Sequence, residues 1–328
     1  MKKRGMVRQG SSAPSPAFTL PLADGTTWAY VGDRTVRRQL GILGRVMSLG
    51  KGRTRASARI LLLPSGTVHG GALDSGTRGD PVLLQDLPRD GWIERLAGDV
   101  LCWYHPVCSD ALCEIPTDMT PDVLYPALNL SLAPLSRHAV RQGGFPVHGA
   151  LVELEGKGYL LSGPSQQGKS TCCSRLPRPW TVLCDEQALV LRRGDGGFLA
   201  HPLPTWNNFL GKGDQRRWKV EHSVPLAGIF FLDKAPADGV EPLERARAAV
   251  LLYDAAMYKY RFAMAGAAQE EIRAERGALF GSTCDAAQRI PTFTLRVSLH
   301  GRFWVEMERV MGRAVAPGTS PGFREGNR

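Results

Sequence analysis

The stretch SGPSQQGKST, residues 162–171, constrains this chain more than any other. It reads Gly163, four residues, then Gly168, Lys169 and Ser170. That spacing is the one a phosphate-binding loop uses. Glycines let the backbone curl until its N–H groups point at phosphate oxygens, and the helix that follows aims its positive end at the same place. Lys169 then sets a charge against the β- and γ-phosphates, and the Ser170 hydroxyl is placed to ligate Mg²⁺. Gly163, Ser165, Gly168, Lys169, Ser170 and Thr171 are therefore the expected nucleotide-binding residues, with ATP and Mg²⁺ as ligands. The flanking text agrees: YLLS reads as a strand before the loop, and KSTCCSRL as a short helix stopped by Pro177.

Phosphoryl transfer needs more than a loop. It needs metal ligands and a group that orients the attacking hydroxyl. Asp185 and Glu186, in VLCDEQALV, end an apolar strand within reach of a phosphate held next to it. Read alone, such a pair is a solvated turn; downstream of a phosphate loop it is a catalytic candidate. His148 opens the strand VHGALVELE, which turns at Gly156-Lys157-Gly158 and runs back towards the loop. A neutral imidazole there can hydrogen-bond a carboxylate or a phosphate.

The rest of the chain bounds the fold. Its 328 residues, 43% hydrophobic, suffice for two domains and a sizeable core. Residues 1–16 are basic, then Ser/Pro-rich, and lack the apolar core of a signal peptide; a disordered tail and a cytoplasmic chain are expected. Residues 17–118 read as a strand-rich α+β domain, a candidate for peptide or partner recognition. In it, LGILGRVMSL reads as helix or strand, and so does WIERLAGDVLCWYH. Residues 119–312 form the second domain. It opens on a helix over TPDVLYPALNLSLAPLSRHAVRQGG and closes on two helices, a strand and a last helix. Residues 313–328 are a second disordered tail. The class is α/β (α+β), and no apolar run is long enough to cross a membrane.

Charge and cysteines narrow the chemistry. The net charge of +10 points to an anionic partner or to basic tails. No basic run is interleaved with aromatics and no nucleic-acid motif is present, so nucleic acid is not the expected partner. The seven cysteines are expected as reduced thiols. Cys102, His105, Cys108 and Cys113 are close enough in sequence to ligate zinc, but their spacing matches no standard site; buried structural cysteines are the stronger reading. Lys212, Arg216, Arg217 and Lys219 lie in a basic stretch that is either a lid over the phosphates or solvated surface. Arg137 and Arg141, four apart on one helix, either face the site or carry surface charge.

Taken together, VHGALVELEGKGYLLSGPSQQGKS resembles the core of the HPr kinase/phosphorylase family. That family shows a His-Gly pair, a strand, a Gly-x-Gly turn, a strand and then the loop, as His148-Gly149, Gly156-x-Gly158 and Gly163 do here. The family's acidic pair falls where LCDE stands, and HPLPTW resembles the stretch that follows it in divergent members. The C-terminal HPr-recognition signature is not visible. PLAGIFFLD and PTFTLRVSLHGRFWVEMERV are instead similar to HPr-kinase-related proteins encoded with peptide-modifying radical enzymes, in particular the SynChlorMet cassette protein C group (ScmC).

The resemblance implies a mixed sheet of the phosphoenolpyruvate-carboxykinase-like type. It implies Asp185 as the base that takes the hydroxyl proton of a serine, Glu186 as a Mg²⁺ ligand, and His148 as support for Asp185. The expected activity is an ATP- and Mg²⁺-dependent kinase acting on a serine or threonine of a peptide or protein. The acceptor suggested is a ribosomal precursor peptide, with the modifying enzymes of the same cassette as further partners. Gln166 and Gln167 stand where the family carries small residues, and Glu186 where it carries a second Asp. These departures leave room for a nucleotide-binding recognition module that no longer transfers phosphate. A kinase of free serine or another small hydroxy compound is the third reading.

Overall fold

Short apolar runs broken by glycine and aspartate turns build a first sheet. Its elements are β1 (Phe18–Pro21), β2 (Thr27–Gly32), α1 (Arg37–Val46), β3 (Ala58–Pro64), α2 (Pro81–Leu84), β4 (Ile93–Ala97), β5 (Val100–Tyr104) and β6 (Ala111–Ile115). The computed structural model describes residues 17–50, 56–73, 80–97, 100–117, 120–205 and 217–312. Both expected tails, together with Lys212 and Arg216, lie outside the described residues.

The six strands run in the order β1-β2-β3-β6-β5-β4, with β3 parallel to β2 and to β6. The run ILLL in β3 is apolar without alternation because both faces are covered. Ile60 and Leu62 pack with Leu40, Leu43 and Met47 on the α1 side, while Leu61 and Leu63 pack with Leu83, Leu87 and Trp92 on the other. Of the two ambiguous segments, LGILGRVMSL is the helix α1. Its Gly44 lets Phe18 approach so closely that a Cβ would sit 2.9 Å from the ring. The other, WIERLAGDVLCWYH, is the antiparallel pair β4 and β5.

The helix expected over residues 120–143 is two helices, α3 (Pro121–Leu130) and α4 (Ala133–Arg141). Pro134 explains the break. It has no N–H to donate, and its ring clashes with the carbonyl four residues back, so it favours the first turn it occupies in α4, although Pro126 is accommodated inside α3. The second sheet follows with β7 (Phe145–Leu154), β8 (Lys157–Ser162), α5 (Lys169–Arg175), β9 (Thr181–Cys184), β10 (Gln187–Arg192) and β11 (Phe198–Pro202). It is completed by β12 (Val224–Lys234), β13 (Gly239–Pro242), α6 (Arg245–Met264), α7 (Gln269–Arg289), β14 (Thr292–Val297) and α8 (Phe303–Val310).

The strands run β11-β10-β7-β8-β12-β14-β13, with β9 also on β7. The sheet is mixed: β8, β12 and β14 are parallel and the other pairings antiparallel. A further pairing of β11 with β12 closes five of these strands into a ring. Alternate residues of β7 again part to two cores. Leu151 joins a cluster with α6 (Leu252, Ala256, Tyr260) that continues into the first sheet, and Val152 joins one with Cys172, Phe303 and Met307 of α5 and α8.

Two polar clasps tie the sheets together. Arg137 of α4 binds Glu275 at 3.0 Å and also Glu271, both on α7, and its guanidinium lies 4.3 Å over the Tyr104 ring. Arg95 of β4 joins it at Glu271. Arg137 thus serves the sheet junction, and Arg141 is an exposed neighbour on the same helix. In the second clasp, Asp24, just after β1, meets the His138 Nε2 of α4 at 2.6 Å and accepts from the Thr26 hydroxyl at 2.6 Å.

Burial raises the Asp24 pKa, but these hydrogen bonds outweigh it and hold the group at about 2 instead of 3.8. A depressed carboxylate stabilises the fold above its unfolded value and loses that contribution as pH falls towards its folded value. Asp24→Asn should therefore lower the unfolding free energy at neutral pH by about 1–3 kcal/mol. In urea titrations it should also flatten the stability loss that the native chain shows between pH 3.8 and about 2.

Candidate functional site

The glycine-rich loop leaves β8 at its C-terminal end, at one edge of the parallel trio β8, β12 and β14. The ends of parallel strands are where open α/β sheets place ligands. Ser162, the last residue of β8, is fully buried and donates to the His148 carbonyl at 3.3 Å. Three positions then take positive φ: Gly163, at 151°, Gln166, at 67°, and Gly168, at 97°, the left-handed cap of α5. For a glutamine that conformation costs about 1–2 kcal/mol, and such strain clusters at functional loops.

Lys169 closes the loop. Its Nζ donates to the carbonyls of Gly163 (2.7 Å) and Pro164 (2.9 Å). Burial, and then the nearby Lys259, bring its pKa down from 10.5 to about 8. The ammonium thus rests on two neutral carbonyls, with no carboxylate bonded to it among the described residues.

The acidic pair sits in the turn between β9 and β10. Gly149 N–H donates to the Glu186 carbonyl at 3.0 Å, and His148 lies opposite Gln187 in the ladder, which holds the pair beside β7. Asp185 Oδ1 accepts from the Thr205 hydroxyl at 2.6 Å, and Glu186 Oε1 from Lys259 Nζ at 2.9 Å. His148 is buried, with its ring 4.7 Å from that of Tyr258. Neither of its nitrogens has a hydrogen-bond partner among the described residues, so it does not touch Asp185. Burial, then Lys169 and Lys259, lower its pKa to about 4, so the ring is neutral at pH 7.

These groups converge on one cleft of about 410 Å³. Ser165, Gly168, Lys169, Ser170 and Thr171 form one side; Asp185, Glu186 and His148 form the other. Thr205 and Tyr258 complete the wall. Gly163 lies just behind it.

The donor set fits Mg²⁺ in one specific way. Hard oxygen ligands are present in Ser170, Asp185 and Glu186, and each carboxylate keeps an oxygen free of its one partner. No three His, Cys, Asp or Glu side chains group to hold a metal ion among the described residues. Such a cation would bind only together with phosphate oxygens and water, the usual manner of Mg²⁺.

Three residues escaped the sequence reading. Thr205 lies in HPLPTW with only its hydroxyl to mark it. Lys259 and Tyr258 belong to α6, with Lys259 73 positions from the Glu186 that it binds. Other candidates lie elsewhere. Arg217 and Lys219 are exposed, flanking Trp218 and Val220. The N–H groups of those two donate to Val46 and Met47, which ties that segment to the end of α1. Cys102 and Cys113 are buried partners across β5 and β6, with sulfurs 3.6 Å apart, and His105 Nε2 lies 3.1 Å from the Asp90 carbonyl.

The family model described as SynChlorMet cassette protein ScmC matches residues 111–312. The chain belongs to this family. The ScmC match begins at β6, in the middle of the first sheet, and takes in every residue of the cleft. A comparison with curated proteins gave no match. No helix among the described residues of this ScmC protein is long and apolar enough to cross a membrane.

An anion entering the loop would displace the two carbonyls from Lys169 and raise its pKa. Calorimetric titration with tripolyphosphate, in buffers of different ionisation enthalpy, should read an uptake of up to about one proton at pH 8 and above. Affinity should fall as pH rises past about 8, and Lys169→Met should abolish the uptake.

Proposed function

We propose that this protein is an ATP- and Mg²⁺-dependent kinase of the HPr-kinase-like kind, which transfers the γ-phosphate to a serine or threonine hydroxyl. The acceptor is a peptide or protein, and the cassette in the family's description favours a precursor peptide handled together with the other cassette proteins. One observation carries the reading. Ser165, Gln166, residues 168–171, Asp185, Glu186 and His148, far apart in the chain, line one cleft. All seven cysteines are free thiols, which suits a reducing cytoplasm.

The chemistry follows from the partners already named. Lys169 leaves the Gly163 and Pro164 carbonyls for the phosphates, whose oxygens also meet the loop's N–H groups. Ser170 and Glu186 would hold Mg²⁺, which neutralises charge on the β- and γ-phosphate oxygens when bound. Asp185, oriented by Thr205, accepts the proton of the acceptor hydroxyl. The hydroxyl oxygen bonds to phosphorus as the bond to the bridging oxygen breaks, and ADP leaves with the electron pair. Lys259 provides a second cation beside Glu186. His148, neutral at pH 7, takes no proton unless its surroundings change. A second reading, a nucleotide-binding module without transfer, draws support from the Lys259–Glu186 pair, which occupies part of the expected metal site.

The test uses purified protein, ATP, Mg²⁺ and a serine-containing peptide encoded in the cassette, followed by mass spectrometry and ADP release. Wild type should yield phosphopeptide and ADP in equal amounts. Asp185→Asn should lower turnover about 10²–10⁴-fold while still binding ATP, and Lys169→Ala should lose both binding and transfer. ATP binding without transfer to any cassette peptide would favour the recognition module. An Asp185→Asn variant as fast as wild type would remove Asp185 from the base role.

A further inference from the structure

A second cleft, of about 570 Å³, opens on the other side of the glycine-rich loop. Small-molecule sites span about 300–1,000 Å³, so its size is that of a ligand pocket. Phe231 and Leu232, near the end of β12, and Thr294 of β14 supply its floor. One face of α6 supplies the opposite wall: Arg247, Leu251, Asp254 and Tyr258 follow one another at intervals of three and four residues. The loop closes the near end with residues 163–165.

This cleft meets the first one at three residues only, His148, Ser165 and Tyr258. Ser170, Asp185 and Glu186 face the first cleft and not the second. A molecule with its phosphate chain in the loop and its terminal phosphate at Asp185 therefore has its other end on this side. The lining chemistry then says what that end is. The wall is mainly apolar, which suits the faces of a flat base. Two carboxylates, Asp233 and Asp254, are exposed there and make no hydrogen bond or ion pair with any described residue. Free carboxylates accept hydrogen bonds from ribose hydroxyls, a role acidic residues take in other nucleotide sites.

We propose that this cleft binds the nucleoside half of the nucleotide. The base lies against Leu251 and Phe231, and the ribose hydroxyls reach Asp233 or Asp254. The inference rests on the reading that residues 163–171 hold the phosphates. It leaves the Asp185 and Thr205 side of the first cleft for the acceptor, so the two substrates approach the transferred phosphate from opposite sides of the loop.

The experiment titrates full-length wild type and Leu251→Trp with ATP and with inorganic tripolyphosphate, both with Mg²⁺. The expected result is that wild type binds ATP at least about tenfold more tightly than tripolyphosphate. Leu251→Trp, which fills the cleft away from the loop, should weaken ATP by about tenfold and leave tripolyphosphate within about twofold. Wild type that binds neither ligand would sink the phosphate-loop reading itself. Wild type that binds both equally, or a Leu251→Trp variant that keeps full ATP affinity, would overturn the nucleoside assignment and leave the loop intact. A variant that keeps ATP but no longer phosphorylates peptide would give the cleft to the acceptor, which also overturns it. If Leu251→Trp does not fold, Asp254→Asn decides. Wild type should prefer ATP to its 2′,3′-dideoxy analogue, and a variant with the preference unchanged, together with the same result for Asp233→Asn, would refute the proposal.

Discussion

The register of β7 between its two neighbours fixes the site. On one side Gly149 pairs with Ser162, the last residue before the glycine-rich loop. On the other, its N–H donates to the Glu186 carbonyl, and His148 faces Gln187. A single strand thus sets the spacing between a loop and an acidic turn that the sequence keeps apart. A side chain on Gly149 would come within 3.1 Å of the Leu161 carbonyl, so close pairing there depends on its having none. A slip of one residue would turn His148 to the opposite face and move the acidic pair away from the loop.

Around that strand the charges are arranged in pairs rather than spread as a basic surface. Lys169 rests on carbonyls of its own loop, Lys259 on Glu186, and Arg137 and Arg95 on the carboxylates of α7. Burial, and then Lys259, weaken the hold of Lys169 on its proton, and burial, then the two lysines, lower the pKa of His148. An anion drawn into the cleft relieves the repulsion between the two lysines. The net charge of +10 is therefore a poor guide by itself, because two of the arginines it counts, Arg95 and Arg137, are structural and buried.

Local signals in the sequence survive folding where they are backbone requirements. Gly163, Gly168 and Gly143 stand at positive φ, and Pro177 follows the end of α5, as their residue types demand. The acidic pair was legible because an apolar strand precedes it. The mixed α/β character was legible from the alternation of periods. What was hidden depends on tertiary contact. Lys259 reads as one more polar position on a long helix, and only the packing of α6 on β7 brings it to Glu186. Arg137 reads as surface charge until Glu271, Glu275 and Tyr104 surround it. Pro134 was readable as a break between two helices, yet its effect was masked by strong helical text on either side.

In the proposed function the loop and the acidic turn hold one phosphate chain between them. A crystal structure with Mg²⁺ and a non-transferable ATP analogue is the decisive measurement. Lys169 Nζ should be withdrawn from the Gly163 and Pro164 carbonyls and bonded to phosphate. The terminal phosphate should lie between Ser170 and the Asp185–Glu186 turn. Lys169 still seated on its two carbonyls, with the analogue bound anywhere else, would contradict the proposed function.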